Sequence, residues 1–224
     1  MTNYTLIRSR RRTLAIHIKD GGVEVRAPLK MAKCDIDRFV SSKEKWISEH
    51  LAKSQLYAEQ REAFQLNYGD MVRFCGKEYP LIAMDGNRAG FDDEKFFLPH
   101  GLPPEQVKHT VVQLYRRLAK FHLTECVEHY SALMNVTPTA IKINGAKTRW
   151  GSCSAKKSLN FSWRLIMADD AVISYVVVHE LAHIFELNHS ARFWAIVATV
   201  FPDYKERQKQ LKELQKRLNA EDWE

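Results

Sequence analysis

The chain has 224 residues, 34 Lys and Arg against 27 Asp and Glu for a formal charge of +7, and 45% hydrophobic residues. That is ordinary globular composition, which excludes a disordered, collagen-like or coiled-coil chain, and the length admits one large domain or two small ones. No run approaches the roughly 18 apolar residues of a membrane span and the start MTNYTLIRSRRR has no apolar stretch of signal-peptide type, so a cytoplasmic protein without a membrane partner is expected.

In chain order, residues 4–28 alternate apolar and polar positions through Leu14, Ile16, Ile18, Val23 and Val25 and predict a hairpin turning at Asp20-Gly21-Gly22. Ile36, Phe39, Val40, Trp46, Ile47 and Leu51 then recur at mostly helical spacing behind Asp35 as N-cap, which predicts one helix of about six turns. Residues 68–99, punctuated by Gly69, Gly76, Pro80, Gly86, Gly90 and Pro99, read as short strands and turns. A long amphipathic helix follows from Glu105 to Met134, with Val107, Val111, Leu114, Leu118, Phe121, Leu123 and Val127 as its apolar stripe and Asn135 and Pro138 as its end.

Ala140 to Ala168 reads as two or three strands with a turn near Ser154 to Lys157. Asp169 or Asp170 caps a helix that runs through SYVVVHELAHIFEL. A short helix from Ser190 to Val200 and a charged one from Asp203 to Leu218, with Leu211, Leu214 and Leu218 docking on the body, complete an α+β chain. The expected organisation is a β-rich N-terminal portion with one long helix, residues 1–100, and a helical and small-sheet portion, residues 101–224, the two being compatible with one compact domain.

His179-Glu180-Leu181-Ala182-His183 is an HExxH sequence on a predicted helix. Residues four apart lie one turn above each other, so both imidazoles reach one metal, while Glu180, rotated by about 100°, reaches water beside it. At this chain's His and Glu frequencies the pattern arises by chance in roughly one such sequence in forty. A catalytic zinc takes three protein ligands and a water, and His189 is the candidate third ligand. Ten residues after His179 it lies about 1000° round an unbroken helix, some 80° short of the ligand face, so the helix must stop. Asn188 in a left-handed conformation and Ser190 as a new N-cap would swing His189 back. The third His lowers the chance estimate to about one in a thousand. Three His and a Glu on a helix apolar on most sides need partners, and a metal, zinc before other divalent ions, supplies them.

The segments RWGSCS at 149–154, NFSWRLIMA at 160–168, YVVVHELAH at 175–183, NHSARFW at 188–194 and PDY at 202–204 together resemble the YgjP-like metallopeptidase family, itself similar to SprT-like and Wss1-like zinc metallopeptidases. The resemblance implies a zincin-like fold, a Zn2+ ion held by His179, His183 and His189, and Glu180 as catalytic base. The His spacing also occurs in metzincins, but Glu186 stands where they have glycine and no Met-turn is evident, so the chain is not read as one.

Arg149, Arg192 and Tyr204 are candidates for contacting substrate or stabilising an oxyanion. The strand from Arg149 to Cys153 could offer a backbone edge to an extended peptide, and Cys153 is either packing or a thiol able to gate the site. The six other histidines, among them His122 and His129 on one helix face, show no comparable spacing. The expected function is a zinc-dependent metallohydrolase, a metallopeptidase acting on a protein or peptide. The resemblance also implies a second class, nucleoside triphosphate pyrophosphatases acting on UTP, for which Arg8, Arg10, Arg11 and Arg12 would hold phosphates. The third reading is a nucleic-acid-associated protease of SprT or Wss1 type, against which stands the lack of a second zinc module or DNA-reading motif.

Overall fold

The computed structural model describes residues 2–19 and 21–223 and divides the chain into two compact units, one of residues up to Phe64 with Asn219–Asp222, the other of Gln65–Leu218 with Trp223. The architecture is α+β, as the sequence predicts.

In the first unit, β1 (Thr5–Ser9), β2 (Ala15–Lys19) and β3 (Gly22–Pro28) form a sheet of order β1-β3-β2. The predicted hairpin is β2–β3, antiparallel with Ala15 opposite Arg26 and Lys19 opposite Gly22. Gly21 turns at φ +72, and Asp20 lies outside the described residues. What the hairpin reading misses is β1, which pairs with β3 in parallel, Thr5 opposite Glu24. The single six-turn helix is two, α1 (Lys33–Ser42) and α2 (Glu44–Ala63). Ser42 turns its hydroxyl back onto the Phe39 carbonyl at 2.7 Å and the Lys43 amide donates to Val40 at 3.0 Å, so local bonds compete with the helical ladder at Lys43. Ala32, not Asp35, holds the N-cap position. Val23, Val25 and Ala27 on one face of β3 pack with Ile36, Val40 and Ile47 as the core. Arg8 Nη1 lies 3.1, 3.0 and 2.7 Å from the carbonyls of Pro28, Leu29 and Met31, which share its two N–H groups, and so ties β1 to the end of β3.

The second unit opens with β4 (Met71–Phe74), β5 (Lys77–Met84), β6 (Gly90–Phe91) and β7 (Phe96–Pro99), in the order β4-β5-β7-β6. α3 (Pro104–Met134) starts with Pro104 in its first turn and stops at Asn135 in the left-handed conformation. Its buried stripe is Val107, Val111, Leu114, Tyr115, Ala119, Leu123 and Val127, whereas Phe121, expected inside, is 65% exposed because it falls off that face. β8 (Ala140–Asn144), β9 (Gly151–Cys153) and β10 (Ser158–Ser162) form the sheet β8-β10-β9, with β9 at an edge. Trp163–Met167, read from sequence as strand, is a fully buried 3-10 helix. α4 (Asp170–Ala182), α5 (Ala191–Val200) and α6 (Tyr204–Leu218) follow. α4 packs against α3, α5, α6 and β9. Its run Val176-Val177-Val178 is poor helix former by propensity, and burial of all three holds it helical. Asp169 sits at the N-cap position, but its carboxylate goes to Arg73 at 3.3 Å rather than to a helix amide. Leu211 and Leu218 of α6 are buried as expected. No described helix is long and apolar enough to cross a membrane.

Candidate active site

The C-terminal half of α4 carries His179 and Glu180, and His183 is the C-cap residue that follows it. The helix ends at Ala182, earlier than the sequence suggests, and turns through residues 183–190 bring the chain back. Asn188 is not among the described residues with positive φ, so the reversal needs no left-handed residue there. Ser190 starts α5 as expected, its hydroxyl accepting from the Phe193 amide at 3.2 Å.

The reversal carries His189 to the other two imidazoles: His189 Nε2 lies 3.0 Å from His179 Nε2, and one nitrogen from each of His179, His183 and His189 falls within 4.8 Å of the others. His183 Nδ1–H donates to the Glu186 carbonyl at 3.0 Å, which leaves its Nε2 lone pair free to coordinate. Burial, reinforced by His183 and His189, holds His179 down at about 3, and burial also lowers His183 against the pull of the Glu186 carbonyl. Both rings are therefore neutral near pH 7. Two imidazole Nε2 atoms at 3.0 Å face each other comfortably only with a proton or a cation between them, and a tetrahedral ion with nitrogen ligands at 2.0–2.1 Å spaces them roughly 3.3–3.4 Å apart. The donor set fits a small divalent cation that accepts imidazole. Phe193, fully buried, underlies the cluster, its ring centroid 4.9, 4.5 and 4.7 Å from those of His179, His183 and His189. Trp194 stacks on His189 at 5.6 Å and Tyr204 on Trp194 at 4.8 Å.

Glu180 is only 5% exposed. Burial pushes its carboxyl up to about 7, with Arg149 pulling the other way. β9 passes directly over it: a Cβ on Gly151 would lie 2.6 Å from Glu180 Oε1 and 2.7 Å from Cγ, so only glycine admits this approach. His179, Glu180, His183 and His189 open on a cavity of about 750 Å³ walled by residues 148–153, Tyr175 and, from α6, Gln208, Leu211 and Lys212.

Of the candidates for contacting substrate, Arg149 lines this cavity. Arg192 is exposed and outside its lining, and Tyr204, its ring stacked on Trp194, is also outside the lining. Cys153 is in the wall, its thiol held up by burial and by Glu180, hence protonated. Sequence reasoning passed over Gly151, Phe193, Tyr175 and the α6 wall. The NHSARFW segment contains a signal for Phe193, an aromatic one helical turn after Ser190; the others meet the site only through tertiary packing.

A family model described as YgjP-like, metallopeptidase domain, matches residues 12–214. The chain belongs to the YgjP-like family. As a YgjP-like protein it carries a metallopeptidase domain over most of its length. Comparison with curated proteins finds no match. Among solved structures, the chain is similar to the metallopeptidase zymogen abylysin of Pyrococcus abyssi, with 23% identity and a TM-score of 0.37 over 40% of this chain and 90% of abylysin. It is also similar to the metallopeptidase zymogen jannalysin of Methanocaldococcus jannaschii, with 25% identity and a TM-score of 0.36 over 42% of this chain and 95% of jannalysin.

Proposed function

We propose that this YgjP-like chain is a zinc-dependent peptidase of the cytoplasm, with His179, His183 and His189 holding the ion and Glu180 acting as general base. The observation that carries the reading is the convergence of three imidazoles, two held neutral by burial, beside a buried carboxyl under an edge strand. Zinc in such a cradle supplies Lewis acidity that makes water nucleophilic near neutral pH.

The chain's own residues do the rest. A Glu180 carboxylate oxygen takes the proton from the attacking water and returns it to the nitrogen of the leaving amine. Arg149, whose charge favours the ionised form of Glu180, keeps the base ready to accept. The free edge of β9 offers backbone groups to an extended peptide, which would lie along residues 151–153 and bring its carbonyl over Glu180.

The test is cleavage of a denatured protein by native and Glu180→Gln enzyme, with metal measured by elemental mass spectrometry. Glu180→Gln is expected to keep its zinc and lose about 10²–10⁴-fold in turnover, and His179→Ala to lose both. Native-rate cleavage by Glu180→Gln would remove Glu180 as the base. Pyrophosphate release from UTP, measured in parallel, is expected at the Glu180→Gln background; native hydrolysis of UTP to UMP and pyrophosphate without peptide cleavage would overturn the peptide reading.

A further inference from the structure

At the opposite end of α4 from HExxH, three ligand-type side chains from three separate elements meet: Cys75 in the turn between β4 and β5, His122 on α3, and Asp170 as the first residue of α4. One donor atom of each lies within 4.8 Å of the other two, with His122 Nε2 3.2 Å from Asp170 Oδ1. We propose that Cys75, His122 and Asp170 form a second metal site, a structural clip for one thiophilic divalent cation such as zinc, independent of the three-His cradle.

The donor chemistry suits such an ion. A thiolate and an imidazole favour zinc or cobalt over magnesium or calcium, the carboxylate completes a three-ligand set, and thiolate plus carboxylate balance a charge of +2. Burial and the neighbouring Asp170 hold the free Cys75 as a neutral thiol. Binding therefore forms a metal–sulfur bond as the S–H proton passes to water, with no change of oxidation state.

The cluster is also built in advance. Cys75 and Gly76 occupy a two-residue hairpin turn with φ +46 and +79, the left-handed geometry for which Asn-Gly is the ordinary choice. A cysteine there is sterically costly, and a ligand role accounts for it. The turn is clamped to the residues that lead into α4. The Cys75 amide donates to the Ile166 carbonyl at 2.8 Å, Arg73 Nε donates to Met167 at 2.9 Å, and any Cβ on Gly76 would collide with the Asp169 carboxylate. The thiol thus reaches Asp170 through backbone fixed on both sides, and an ion there would pin the start of the helix that carries Glu180 to α3 and to the β4–β5 hairpin.

Cobalt titration of the full chain tests this, because only a thiolate ligand gives a sulfur-to-cobalt charge-transfer band in the near ultraviolet. The expected result is a second equivalent of cobalt and a band that persists in the His179→Ala/His183→Ala double variant and in Cys153→Ser. Cys75→Ser should abolish the band and lower the stoichiometry from two to one. Cys75→Asn, which suits the left-handed turn and whose fold is checked by circular dichroism, should do the same. No band in the native protein, or a band that survives in Cys75→Asn, overturns the second site.

Discussion

Gly151 sets how closely the edge strand approaches Glu180. A methyl group at this position meets Glu180 Oε1 at 2.6 Å and Cγ at 2.7 Å, and the contact at Cγ, near the helix backbone of a buried side chain, is not relieved by turning the carboxylate alone. Gly151→Ala should therefore push either β9 or the carboxyl aside, at a cost of about 1–3 kcal/mol in stability, and lower peptide cleavage at least tenfold. A thermal melt beside a cleavage assay checks this, and unchanged kinetics would show that the contact does not position Glu180. The contrast with the imidazoles shows which site residues a sequence can reveal. His179 and His183 are legible because their spacing is the helical period, and His189 because its wrong angle on that helix demands a break. Gly151 is illegible in isolation because its meaning is a contact with a side chain 29 positions away, and the sequence shows Phe193 only as an aromatic one turn after Ser190, not its contacts with His179 and His183, 14 and 10 positions before it. The same limit hid His122, whose partners Cys75 and Asp170 lie about 50 positions to either side and share no period with it.

At the scale of elements, the short helix α5 matters more to the cradle than its lack of ligands suggests. It carries Phe193, whose ring lies under all three imidazoles, and Trp194, which stacks on His189. Its first turn is held by Ser190, which accepts from the Phe193 amide at 3.2 Å. Ser190→Ala should cost about 1 kcal/mol and, by freeing the start of α5, weaken zinc retention; competition against a chromophoric chelator reads the affinity, and an unchanged dissociation constant would separate the cap from the metal. Ser190 was readable from sequence because capping is local. The break between α1 and α2 was not, since Ile36, Val40 and Ile47 keep one helical phase across it and all three are buried. The parallel pairing of β1 with β3 was equally hidden, because alternation fixes which face is buried but not which neighbour a strand chooses. The 3-10 helix at Trp163–Met167 reads as strand for a related reason: full burial removes the polar alternation that separates the two.

For the whole molecule, the division into units locates the effect of metal. The donors of the three-His cradle and the elements that orient them, α4, α5 and β9, all belong to the unit of Gln65–Leu218, while the core of the first unit is Val23, Val25, Ala27, Ile36, Val40 and Ile47. An ion bound only by the folded state at a concentration 100 times its dissociation constant adds about 2.7 kcal/mol, which for 150–250 residues raises the melting temperature by roughly 5–10 °C. Stripping the protein with a chelator should reverse that shift and, in amide exchange, speed the peptides covering α4, α5 and residues 183–190 while those covering β3 and α1 keep their rates. The His179→Ala/His183→Ala variant is the control, since it lacks the cradle and its 183–190 segment should exchange at the same rate with and without metal. Acceleration confined to the first unit, or none in the native chain, would mean that the imidazoles converge without holding an ion, and the peptidase reading would fall with them.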